Sequence, residues 1–423
     1  MMLGRILAIA ARGRVALIAL SSALGCGQVS QERDDGSSGG SPSAGGQSGA
    51  AGAAVSGGRV ATGGEGTSGA SGGSAPLPEG CFGLSPDLNS EQLVSRVQER
   101  LGVALDVSRF DDADEKPAVR GLRLTEAIDE AVRDAGPPPP MTEILYDFIV
   151  QQLLHDENWQ SGIPAFAADL SPEVAADMDQ EFRLAISSWL QEGRATLGHM
   201  LTDNTAFVNP GLAAHYDIAS PSKAEFSPVA LPREQQMGLL TRGAFLARYT
   251  DPPARAPHLA QALECVTLPP PPALTSVWDQ PNRAPAKEVI AKEYGDDQAN
   301  CAVCHKAYVG YAIALDRYDE LGRYRDTLNG FSIDTSGQLY VPDVMPATGG
   351  SANIEFATPQ ELGRALAESS TVRQCLATRL AAHLGLPELE TKDLACVMER
   401  FDASNASLIR LLAILAPRLV ELE

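Results

Sequence analysis

From Leu122 onward the apolar positions recur at helical spacing. Leu122 to Val132 (LRLTEAIDEAV) predicts an amphipathic helix stopped by Gly136 and the prolines Pro137 to Pro140, since proline lacks a backbone donor and clashes with the preceding turn. Ile144, Leu145, Phe148, Ile149 and Leu153 repeat the same period. Ser171-Pro172 supplies a helix cap and a first-turn proline, and Val174, Met178, Phe182, Ile186 and Trp189 then form one stripe, a core face rather than a cofactor box. After Pro232, Met237, Leu240, Phe245 and Leu246 predict another helix, and one more ends at Cys265. Pro269 to Pro272 read as a stiff extended spacer. Farther on, Thr358-Pro359-Gln360-Glu361 is a capping-box signature opening a helix through Leu362 and Leu366. Val372 to Leu384 continue the pattern until Gly385 and Pro387. Cys396, Val397 and Phe401 mark a short helix, and Leu408, Leu411, Leu412, Ile414 and Leu415 the last.

The expected fold class is therefore all-α, mostly helical. Aromatics make up only 5% of the chain and Leu and Ala dominate the apolar positions, which favours helices over strands. Residues 27–80 show no period at all: they are Gly, Ser and Ala with almost no branched or aromatic side chains, too little to offset chain entropy. They read as a disordered tether, whose coil spans on the order of 40 Å. The remaining length suits two helical domains, 81–280 and 281–423.

The first 26 residues read as a secretion signal. Arg5, Arg12 and Arg14 form a basic start, and Val15 to Leu24 (VALIALSSAL) is an apolar run too short to span a bilayer. Ala23-Leu24-Gly25-Cys26 resembles a bacterial lipobox with Cys26 as the lipidated residue. Gly27, rather than aspartate, follows it, which points to an outer-membrane lipoprotein, periplasmic or at the cell surface. The alternative is ordinary cleavage nearby with a free Cys26. A formal charge of −21 argues against nucleic acid or anionic lipid as partner; such acidity chiefly keeps a surface protein soluble.

Cys301-Ala302-Val303-Cys304-His305 carries the candidate chemistry. Two thiols two residues apart and an immediate histidine are the attachment signature of haem c: the thiols add to the haem vinyls and His305 ligates iron from the same turn. Half a zinc site and a thiol–disulfide motif are the competing readings, but neither a second ligand pair nor a βαβ pattern accompanies the string. Met345, in Val341-Pro-Asp-Val-Met-Pro-Ala347, is the candidate distal ligand; His383, Met398 or an open iron site are the alternatives. Arg323 and Arg325 either hold haem propionates or lie on a solvated charged face. His199 and His215 read as surface or capping histidines. With Cys26 given to lipid and Cys301 and Cys304 to haem, four cysteines remain, enough for two disulfides in an oxidising compartment. Three pairings are open; adjacency of the predicted helices favours Cys375 with Cys396, leaving Cys81 with Cys265. Buried free thiols are the alternative.

Several strings also resemble a known family. Leu201-Thr-Asp-Asn-Thr-Ala-Phe-Val-Asn209, Leu212-Ala-Ala-His-Tyr216, Gly238-Leu-Leu-Thr-Arg-Gly-Ala-Phe-Leu246 and Leu263-Glu-Cys-Val-Thr-Leu-Pro-Pro-Pro-Pro272 are similar to secreted cytochrome-c-like proteins of unknown function from myxobacteria and planctomycetes. In the second half the haem string, Ala314-Leu-Asp-Arg-Tyr-Asp-Glu-Leu-Gly-Arg-Tyr-Arg325, Asn329-Gly330, Ile333-Asp334 and Ser336-Gly337 continue the likeness, which covers about Met141 to the C-terminus. The resemblance implies a helical domain joined to a C-terminal haem module and no particular reaction. The chain departs from that family after the haem string, where Val309-Gly310-Tyr311-Ala312 replaces an Asp-Pro-x-Gly turn, and before it, where Tyr294 stands near the place of a common histidine.

Together these features lead us to expect a lipid-anchored extracytoplasmic electron carrier with one covalent haem and an unspecified redox partner. The rivals are a haem-dependent oxidoreductase with an open iron site and a non-redox surface binding protein in which Cys301 and Cys304 form a disulfide. No nucleophile–base pair in the helical half argues for catalysis apart from the haem.

Overall fold

The apolar stripes fold as helices largely where their period places them, with ends set by local capping chemistry. The computed structural model describes residues 80–112, 114–154, 170–231, 236–250, 252–268, 282–293, 305–343 and 351–422. These hold fourteen α-helices and three two-stranded antiparallel sheets. α1 (Ser90–Leu101) opens with Asn89 and Gln92 capping one another's backbone and ends at Gly102 in the left-handed region. α2 (Pro117–Ala135) and α3 (Pro139–Leu153) are separated by Gly136. Pro139 and Pro140 thus begin a helix as well as end one, because a first-turn N–H needs no intrahelical partner. α4 (Pro172–Gln191) starts at Ser171, whose hydroxyl accepts from Val174 N, and buries Met178, Phe182, Ile186 and Trp189.

Next come α5 (Leu197–Thr202), β1 (Thr205–Val208), α6 (Pro210–His215) and β2 (Ser227–Ala230), with β1 and β2 paired from Thr205–Ala230 to Val208–Ser227. The helix expected through Met237 and Leu246 is broken in two. A 3-10 turn over Gly238–Thr241 precedes α7 (Gly243–Arg248), and Arg242 between them is extended (φ −76°, ψ 141°). Gly238, at the head of the 3-10 turn, has φ +53°, outside the α-helical region, and a Cβ there would stand 1.9 Å from Met200 O. The predicted helix ending at Cys265 is α8 (Pro252–Glu264).

The second half holds α9 (Ala286–Glu293), α10 (Val309–Ala314), the hairpins β3 (Thr327–Leu328) with β4 (Phe331–Ser332) and β5 (Gly337–Val341) with β6 (Ala352–Phe356), and then α11 (Pro359–Glu368), α12 (Ser370–His383), α13 (Thr391–Ala403) and α14 (Leu408–Leu419). α14 is buried on nearly every side, and it packs against α2 and α3 as well as α12 and α13. One continuous hydrophobic core therefore takes residues from both sides of the proline run, which itself lies outside the described residues. Arg255, 1% exposed, ties the halves further by donating to Leu246 O, Tyr249 O, Tyr318 O and Asp319 O at 2.5–3.0 Å.

All four of the remaining cysteines form disulfides, but the favoured pairing is overturned. The bonds are Cys81–Cys396 and Cys265–Cys375. The cause is the place of α14 within the fold. Its end lies against the first described segment, where Arg96 Nη1 donates to Val420 O at 2.7 Å and Ser85 N to Glu421 Oε1 at 2.5 Å, and this carries α13 and Cys396 to Cys81. α12 packs on α8, so Cys375 meets Cys265 instead of its neighbour on α13.

Candidate functional site

Of the haem string, His305 is described, whereas Cys301 and Cys304 lie outside the described residues, as do Met345 and Cys26. The backbone at His305 is helical and its ring is half-buried. Tyr308 Oη sits 3.0 Å from His305 Nδ1, and the two rings lie 5.1 Å apart. Burial pushes the imidazole pKa down, so the ring is neutral at pH 7, the form that ligates a metal. Nδ1 is engaged by the tyrosine hydroxyl, which orients the ring as an outer partner orients a ligating histidine. A neutral, oriented imidazole at His305 would suit the histidine that holds a haem iron. Among the described residues no cluster of three or more His, Cys, Asp or Glu side chains is arranged to hold a metal ion.

α10 follows at once and is pressed between α8 and β5. Gly310 permits this approach, since a Cβ there would lie 2.6 Å from Gln338 O. Tyr340 N donates to Lys306 O at 3.3 Å, fastening the same loop to β5. Tyr311, buried, donates its hydroxyl to Glu264 Oε1 at 2.6 Å. Glu264 is fully buried with Oε2 unpartnered, and burial pushes its pKa up to about 8 despite that bond. The Val309-Gly310-Tyr311-Ala312 stretch is thus a packing device: glycine for closeness, tyrosine to satisfy a buried acid.

Arg323 and Arg325 are committed within their own loop. Arg323 pairs with Asp319 at 2.8 Å; Arg325 donates to Asp316 O and pairs with the buried Asp316 carboxylate, which Arg283 also holds at 3.0 Å. His383 ends α12 with its ring 5.6 Å from Phe148, and Met398 packs on the core. His215 Nε2 lies 2.9 Å from Leu321 O, and His199 is half-buried beside Trp189.

A second polar centre had no assigned chemistry in the sequence, although Asp203, Tyr216 and Arg242 stand in the quoted strings. Arg242, 4% exposed, bonds Glu181 Oε1 at 3.0 Å and Asp203 Oδ2 at 3.2 Å. Trp189 Nε1 donates to the same Asp203 oxygen, and Tyr216 Oη donates to Glu181 Oε2 at 3.0 Å. Two carboxylates share one guanidinium away from water, and burial raises the Glu181 pKa. The extended Arg242 that breaks the expected helix is what points its side chain inward. Above this cluster lies a cavity of about 60 Å³ that also exposes Gln236, Tyr318 and Tyr324.

Residues 139–218 match the family model PSD4, "Protein of unknown function (DUF1592)", and residues 236–328 match PSCyt3, "Protein of unknown function (DUF1588)". The chain thus carries two tandem segments similar to families of unknown function. No curated protein and no solved structure matches the chain. The second segment runs across residue 280 and includes the haem string. The cavity lies where the two segments meet, for every lining residue except Leu231 belongs to one or the other.

Proposed function

We propose that the chain is a lipid-anchored, extracytoplasmic c-type cytochrome carrying electrons to or from a partner protein. The observation that carries this reading is the string Cys301-x-x-Cys304-His305 together with a half-buried, neutral His305 whose Nδ1 is engaged by Tyr308. Cys301 and Cys304 would hold the haem, His305 would be its proximal ligand and Met345 its distal one. A bound haem supplies one-electron chemistry; the protein supplies attachment, the ring orientation set by Tyr308 and a packed wall from α10 and β5. The signal segment and the Gly/Ser tether support an address outside the cytoplasm, where haem c is attached and disulfides persist. In this reading the anchor is the lipid on Cys26; no described helix is long and apolar enough to cross a membrane.

The test is the visible spectrum of the full chain, secreted by a host with haem-c maturation, oxidised and then dithionite-reduced. A haem that survives denaturation, shows sharp reduced bands and ignores carbon monoxide is the expected result, and Met345→Ala should then open the iron to carbon monoxide. Carbon monoxide binding by the unaltered chain would favour an oxidoreductase. A colourless folded product with Cys301 and Cys304 oxidised to each other would sink the cytochrome reading.

A further inference from the structure

The strings that resemble one family converge in space on the cavity above Arg242. Ala206 comes from the first, Tyr216 from the second, Arg242 from the third, and Tyr318, Gly322 and Tyr324 from the loop after α10. Glycines let the elements close up around the cavity: a Cβ on Gly243 would stand 1.9 Å from Tyr216 Oη, and one on Gly322 would stand 3.1 Å from Gly243 Cα. Tyr318 and Tyr324 are bridged through their backbones and their rings meet edge-on with centroids 5.9 Å apart. Gln236 Nε2 donates to Tyr318 Oη at 3.1 Å, and Thr241 Oγ1 donates to Gln236 Oε1, so amide and phenol are held in place.

Such a lining selects its ligand by elimination. A free anion would meet the Glu181 carboxylate, and the one guanidinium there is already shared between Glu181 and Asp203. A cation would meet Arg242 and find both Glu181 oxygens already bonded. A hydrocarbon would offer no hydrogen bond to the amide and hydroxyl edge of the lining. What remains is a neutral ring or chain with a C–H face for the tyrosines and apolar walls and with hydroxyls for the polar edge. The volume agrees, since a water needs about 10–15 Å³ on this scale and the cavity has room for several such groups. We infer that the cavity between α4, β1 and the 315–325 loop is a binding site for a neutral polyol or single sugar ring. The inference stands whether or not the chain carries haem.

The test is saturation-transfer NMR on the full chain with glucose, xylose and glycerol as probes, and acetate and methylammonium as charged controls. Two variants lie away from the ion cluster: Ile218→Trp fills the cavity from its half-buried wall, and Tyr324→Ala removes one ring. Transfer to at least one sugar is expected, about tenfold weaker in Tyr324→Ala and lost in Ile218→Trp, with circular dichroism unchanged. No transfer to any of the three from folded protein, signal undiminished in both variants, or binding of a charged control in place of the sugars would overturn the assignment. If Ile218→Trp fails to fold, Tyr324→Ala, nearer the surface, decides the matter.

Discussion

Glu264 shows how one buried group sets a pH response. Its pKa is about 8 in the folded chain against 4.5 for an exposed glutamate. Below the lower value both states hold the proton and the folded state keeps its full advantage. Between the two values the unfolded chain ionises and the folded chain does not, so stability falls as pH rises, by up to about 1.4 kcal/mol per unit, until the loss is complete above the higher value. Glu264→Gln should flatten the melting temperature between about pH 5 and 8 and be the more stable protein at the alkaline end; a parent whose stability does not fall over that range would contradict the assignment. Arg255 is the opposite case, a buried cation satisfied by four carbonyls. Arg255→Met would remove those four bonds and should cost at least about 3 kcal/mol, measured by urea unfolding. Neither role shows in the string around the residue. Glu264 and Arg255 sit among small and apolar neighbours, and only the elements packed above them supply their partners.

At the scale of elements, local chemistry predicts most ends and misses the short pieces. Thr358 accepts from Glu361 N at 3.3 Å, the cap expected of Thr-Pro-Gln-Glu, and Glu361 reaches back to Ala357 N. Thr358→Ala should destabilise α11 by about 1 kcal/mol, seen as a lower thermal midpoint. Asn329 and Gly330 both have positive φ, the turn that best matches the twist of a two-residue hairpin, so Gly330→Ala should loosen β3–β4 and raise hydrogen exchange there. The broken helix at Arg242 was not legible in this way. Met237 to Leu246 are apolar enough for one helix, but a glycine pressed on a carbonyl and an arginine drawn to two buried carboxylates outweigh the propensity. The strands escaped for a related reason: segments of two to five residues carry too little alternation to stand out against a helical background.

At the scale of the whole molecule the disulfides test the arrangement of the halves. Peptide mapping without reduction should recover Cys81 joined to Cys396 and Cys265 to Cys375; a Cys375–Cys396 peptide would contradict the fold. Because Cys81–Cys396 closes a loop with a sequence separation of 315, replacing both of its cysteines by alanine should cost about 2–5 kcal/mol. The sequence by itself determined that the chain is mostly helical, where α2, α3, α4 and α11 to α14 run, and that four cysteines serve as disulfides. Those outcomes follow from period, capping and composition, which act within a few residues. Only the tertiary structure decided which cysteines meet, that α14 lies among the helices of the first half, and that Arg242, Glu181, Asp203 and Tyr216 share one buried centre. Those are matters of contact between residues far apart in the chain, and no local pattern encodes which apolar face will find which partner.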